Sequence, residues 1–158
     1  MRPRPTFAEG GIAMQLNGIA HIQLTVTNVE RSKAFYRPLL ELFEMQVLID
    51  TETYYYCIGS RTGIAISEVE EKYANDRFDQ RRVGLHHLCL RAREREQIDE
   101  IHDFVEKLGA TIVHPPREDG FAPGYYSVLF EDPDGIRIEV NHVPGRGHLK
   151  SEERSSRL

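Results

Sequence analysis

The chain has 158 residues, a formal net charge of −5, and 40% hydrophobic against 28% charged residues, the size and balance of one globular domain. An acidic balance speaks against a general nucleic-acid binder, and no apolar run nears the roughly 20 residues that span a bilayer. Cys57 and Cys89 form neither a CxxC pair nor a disulfide framework, so a reducing cytoplasm is the expected compartment.

Residues 1–17 open with MRPRPTF, basic but without the continuous apolar stretch of a secretory signal. Their Gly and Pro breaks predict a flexible arm, with Met14 as an alternative start of the folded part. Next, IAHIQLTV alternates Ile22, Leu24 and Val26 with His21, Gln23 and Thr25, the period-2 pattern of a half-buried strand. In TNVERSKAFYRPLLELF, Thr27 and Glu30 have capping-box spacing, and Val29, Phe35, Leu39 and Leu42 share one helical face. Pro38 is expected to kink this helix or lie near its end. Strands follow at MQVLI, TYYYCIG and GIAISEV, with SRTG as the turn between the last two. The charged stretch EVEEKYANDRFDQRR reads as a solvated linker.

The order then repeats. LHHLCLRA is a strand and REREQIDEIHDFVEKLG a helix striped by Ile98, Ile101, Val105 and Leu108, with Gly109 as its stop. ATIVH, GYYSVLFE and GIRIEVNH are strands, with DPDG as a turn. The tail, 144–158, is polar and expected to be flexible. The folded part, 18–143, thus divides into modules 18–69 and 84–143, each a strand, a helix and three strands. A duplication of this size outranks any single motif.

Placing His21-Ile22-Gln23-Leu24 over His87-Leu88-Cys89-Leu90, 66 residues on, also superposes Phe35 on Ile101, Leu39 on Val105 and Leu42 on Leu108. The aliphatic side of each first strand packs on the helix. His21, Gln23 and Thr25, with His87, Cys89 and Arg91, form the other side. His86 takes the place of Ala20 and is expected to turn toward the helix layer. Matching the turn glycines Gly63 and Gly135, 72 residues apart, sets Ser67 over Glu139, with Glu68 on the opposite parity unless a bulge shifts it. His21, His87 and Glu139 therefore converge by parity. Two imidazoles and a carboxylate suit a first-row divalent ion with open coordination positions. His86, His102, His114, His142 and His148 read as structural or solvated. Arg91 and Arg137 lie on the polar face, where an anionic substrate or a salt bridge would occupy them.

The segments AHIQLTVTNVERSKAFY, GLHHLCL and FEDPDGIRIEV, in this order, resemble the vicinal oxygen chelate superfamily. It includes glyoxalase I, extradiol dioxygenases, fosfomycin-resistance thiol transferases and bleomycin-resistance proteins. The resemblance covers roughly residues 17–143. It implies an α+β fold of two βαβββ modules whose curled mixed sheets form a concave metal and ligand site. Carried over, the metal positions fall on His21, His87 and Glu139, the ion being Fe, Mn, Ni or Zn. A fourth position, Glu in glyoxalase I, falls on Ser67. That departure from the glyoxalase pattern leaves proton transfer to Ser67-bound water, Glu68 or Tyr125. Gln23, Cys89, Arg91 and Ser127 are the substrate-binding candidates.

The expected activity is of the glyoxalase lyase or isomerase type on a small oxygen-chelating substrate. The alternatives are extradiol-type dioxygenation, fosfomycin-type thiol transfer, and metal-free binding as in bleomycin resistance. A homodimer is expected, its site either intrachain or shared between two copies, with neither nucleic acid nor membrane as partner.

Overall fold

A computed structural model describes residues 16, 18–59 and 61–145. The expected arm, 1–17, Met14 included, lies outside the described residues except for Leu16, as do Ser60, His148 and the tail beyond Gly145. The first module runs β1 (Ile22–Val26), α1 (Val29–Leu42), β2 (Gln46–Asp50), β3 (Tyr54–Gly59) and β4 (Thr62–Glu68). The second runs β5 (Leu88–Arg91), α2 (Glu96–Lys107), β6 (Thr111–Glu118), β7 (Tyr126–Glu131) and β8 (Arg137–His142). Each module forms a four-stranded mixed sheet, ordered β1-β4-β3-β2 and β5-β8-β7-β6. In both, the first strand pairs in parallel with the last and the other ladders are antiparallel. The two sheets remain separate, and no described helix is long and apolar enough to cross a membrane.

Alternation accounts for the layers. Leu24, Val26, Ile64, Ile66, Leu88, Ile138 and Val140 leave their sheets on the helix side and are buried with Phe35, Leu39, Ile98, Ile101 and Val105 in one apolar core. That burial is the main drive holding helix to sheet, about 1.5–3 kcal/mol for each large side chain. Of the three consecutive tyrosines, Tyr55 enters this core while Tyr54 and Tyr56 are half-buried on the other face.

Three local expectations change. The α1 cap is Asn28, whose side chain accepts from the Arg31 N–H at 2.7 Å, because Thr27 is already committed to Asp134. Pro38 lies near the helix end as expected, about one turn before Leu42. The linker carries a 3-10 turn at Glu71–Tyr73, and Phe78 packs against the core with its N–H on the Asp134 carbonyl at 3.3 Å. Finally, β6 continues through Pro115 and Pro116 as an edge strand with two register shifts, the setting in which strand prolines are tolerated.

The modules are joined where α1 meets the β7–β8 turn. Phe35 lies against Phe130 with ring centroids 6.4 Å apart. Buried Tyr36 donates to Asp132 at 2.8 Å. The Thr27 N–H and hydroxyl and the Arg31 guanidinium all donate to Asp134.

Candidate metal and substrate site

The residues that converge belong to the second module. His87, just ahead of β5, places Nε2 3.1 Å from Oε2 of Glu139 on β8. The other carboxylate oxygen accepts the Tyr125 hydroxyl at 2.6 Å. Cys89 stands beside Glu139 in the parallel β5–β8 ladder, which is why a histidine two residues earlier on the same face reaches the carboxylate. Glu139 is 8% exposed, and a buried carboxylate with two partners is a fixed one.

His86 departs from expectation. It is exposed, and its Nδ1 lies 2.7 Å from Nδ1 of His87. Strand geometry starts only at Leu88, so the alternation that would have sent His86 to the helix layer does not reach it. One of the two facing nitrogens carries the proton. With that proton on His86, the His87 Nε2–H donates to Glu139; with it on His87 Nδ1, the Nε2 lone pair is free to share an ion with the carboxylate.

Electrostatics keeps Tyr125 and Cys89 protonated. Burial first, then the hydrogen bond to Glu139, holds the Tyr125 hydroxyl above the usual tyrosine range. Crowding around the sulfur first, then the Glu139 carboxylate, pushes the Cys89 thiol up to about 12, although the residue as a whole is exposed. At neutral pH both are therefore proton donors; neither is a ready base or thiolate.

The first module presents a neutral version of this face. The Gln23 amide donates to Ser67 at 3.1 Å, and the exposed His21 ring meets Tyr56 edge-on at 6.3 Å. Glu68 is exposed on the other side of the sheet from Ser67. Among the described residues, no three His, Cys, Asp or Glu side chains come together to hold an ion, so His21 does not join His87 and Glu139 within the chain.

The ladders also revise the superposition of the last strands. Gln23 pairs with Ala65, whereas its counterpart Cys89 pairs with Glu139. The position equivalent to Glu139 is thus Ala65, and Ser67 corresponds to Asn141. Matching through glycines failed because Gly63 lies inside β4, opposite Ile58, while Gly135 lies in the turn before β8. The same offset hides the place of Asn141 in the sequence.

A profile of the Glyoxalase/Bleomycin resistance protein/Dioxygenase superfamily matches residues 18–140, and the chain belongs to that superfamily. It is 27% identical over 122 residues to the uncharacterized protein YqjT of Bacillus subtilis (strain 168), covering 76% of this chain and 94% of that one. It is 26% identical over 129 residues to the metallothiol transferase FosB of Shouchella clausii (strain KSM-K16), covering 80% of each. A crystal structure of a putative glyoxalase from Bacillus halodurans superposes with a TM-score of 0.71 at 25% identity, covering 80% of this chain and 96% of that chain.

Proposed function

We propose that this protein is a divalent-metal-dependent enzyme of the glyoxalase-like lyase or isomerase type, acting on a small organic substrate held by adjacent oxygens. The observation that carries the reading is the His87–Glu139 pair. Its nitrogen and oxygen are 3.1 Å apart, about the spacing of two neighbouring ligands that each lie roughly 2.0–2.2 Å from one ion. The donor chemistry fits Fe, Mn, Ni or Zn. When bound, such an ion supplies Lewis-acid stabilisation to negative charge that develops on substrate oxygen.

The chain's own groups do the rest. Tyr125 fixes the Glu139 carboxylate through one oxygen, and His86 fixes the His87 ring through Nδ1, the outer hydrogen bonds that orient metal ligands. Because its one proton is committed to Glu139, Tyr125 acts by positioning that carboxylate. His21 is the third ligand, supplied by a second copy of the chain in a homodimer. Gln23, Cys89, Arg91 and Ser127 line the substrate's side of the site.

Thiol transfer is the second reading. Its support is the neutral Gln23–Ala65–Ser67 face, which lacks a second carboxylate for proton shuttling, together with the likeness to a metallothiol transferase.

Metal analysis tests the proposal. Protein purified without chelator and reconstituted with iron, manganese, nickel or zinc is expected to retain one of them stoichiometrically, and His87→Ala protein to retain none. Wild-type protein that stays metal-free with all four would leave metal-free ligand binding as the function.

A further inference from the structure

One face of the second sheet carries a row of side chains that the metal pair does not use. Across the four strands, the ladders set Arg91 opposite Asn141, Asn141 opposite Ser127, and Ser127 opposite Arg117. The row lies two residues along from Cys89 and Glu139, about 6–7 Å by strand rise, and on the same face. Its middle is buried: Ser127 is 1% and Asn141 6% exposed, yet the Ser127 Oγ and the Asn141 Oδ1 have no hydrogen-bond partner. Native folds rarely keep two such atoms side by side without an occupant.

The identity of the free atoms says what that occupant is. Tyr125 spends its only proton on Glu139, so toward Asn141 its oxygen can only accept. The Asn141 Oδ1 is thus left as a bare acceptor beside the Ser127 hydroxyl. A hydroxyl fits both, donating to Asn141 and either accepting from Ser127 or sharing its oxygen with it, whereas a cationic donor is disfavoured by the arginines at the ends of the row. The ends of the row are cationic. The side-chain ion pairs of Arg and Lys in this module are Arg95–Glu118, Arg117–Asp119 at 3.6 Å and Arg137–Glu131. Among the described residues that leaves Arg91 without a carboxylate and Arg117 loosely paired.

Resting on the metal-enzyme reading, we propose that Arg91, Asn141, Ser127 and Arg117 form the substrate-recognition subsite, which takes an anion bearing a hydroxyl group. The hydroxyl binds between Asn141 and Ser127 and the charge lies against Arg91 and Arg117. Tyr125, two residues before Ser127, borders the row, its hydroxyl reaching Glu139. Its ring is edge-on to exposed Phe121 at 5.5 Å.

The test compares two phosphate monoesters, glycerol 3-phosphate and propyl phosphate, by calorimetric titration of the full chain after chelator treatment. Wild-type protein is expected to bind glycerol 3-phosphate about tenfold more tightly. Ser127→Ala should abolish that preference while leaving propyl phosphate affinity unchanged. Arg91→Gln, an exposed change that does not threaten folding, should weaken both esters several-fold. Equal binding of the two by wild-type protein, no binding of either, or an undiminished affinity in Arg91→Gln would overturn the proposal and leave the gap to a buried water. Because these titrations contain no metal, their failure is distinct from a failure to bind iron, manganese, nickel or zinc.

Discussion

The two modules share a ladder and differ in what the ladder carries. At equivalent positions the first presents Gln23, Ala65 and Ser67, and the second presents Cys89, Glu139 and Asn141. Both modules place a histidine just before the first strand. Only the second gives that histidine a carboxylate, at 3.1 Å. Duplication thus supplies the scaffold, while the chemistry rests on substitutions at one parity of two strands. That parity is free to vary because the other one holds the core.

This asymmetry yields its largest test by mixing. A site that takes His21 from one copy and His87 with Glu139 from another is rescued when two defective chains associate. His21→Ala and His87→Ala proteins are each expected to lose metal. Co-refolded in equal amounts, they should regain binding in the mixed dimers, where one of the two sites has all its ligands. Metal content that stays at background in the mixture, with dimers confirmed by sedimentation, would place all ligands of a site in one chain.

The next effect separates His86 from its counterpart Ala20. His86→Ala should weaken metal binding about 10–100-fold, the usual effect of losing an outer hydrogen bond to a ligand. Competition with a chelating dye reads this directly. An unchanged affinity would show that His87 needs no outside help to present Nε2.

A third contrast lies in the hairpin turns. The β7–β8 turn carries Asp132, buried and accepting from Tyr36 and from the N–H groups of Asp134 and Ile136. Burial outweighs those donors and raises its pKa to about 6. A folded-state value above the ordinary 3.8 means the folded chain binds the proton more tightly. The associated stability is fully present below about pH 4 and is lost as pH rises through 6. The shift corresponds to no more than about 3 kcal/mol. Urea unfolding at pH 4.5 and 7.5 should show wild-type protein gaining stability on acidification relative to Asp132→Asn. Parallel pH profiles of the two proteins would rule out this carboxyl as the source.

The sequence made the duplication, the core parity and the His87–Glu139 association legible, because all three follow from period-2 alternation within strands. It did not reveal the register between strands, which depends on turn length. Hence the turn glycines set Ser67 over Glu139, whereas the ladders give that place to Ala65. Nor did it reveal His86, since alternation says nothing about residues before a strand begins. The joint at Asp132 and Asp134 was visible only as a turn, because its partners Thr27, Arg31 and Tyr36 are some hundred residues away along the chain.

The smallest contrast is between the ends of the two helices, which close the same way. After α1, the Glu44 N–H bonds the Glu41 carbonyl and the Met45 N–H bonds that of Leu40. After α2, Gly109 bonds Glu106 and Ala110 bonds Val105. Both turns need a left-handed residue, and the φ values are 56° at Glu44 and 79° at Gly109. Only the second module uses the residue suited to it. Left-handed backbone costs a side-chain-bearing residue roughly 1–2 kcal/mol, partly offset by the greater freedom glycine gives the unfolded chain, about 0.4–1 kcal/mol. Glu44 is exposed, so replacing it loses no packing, and nothing lies within 4 Å of a Cβ added at Gly109. Glu44→Gly should therefore stabilise the fold by up to about 1 kcal/mol, and Gly109→Ala should destabilise it by a similar amount. Denaturant midpoints measure both. Shifts of the same sign would mean that the two helix ends, alike in their hydrogen bonds, differ in backbone strain.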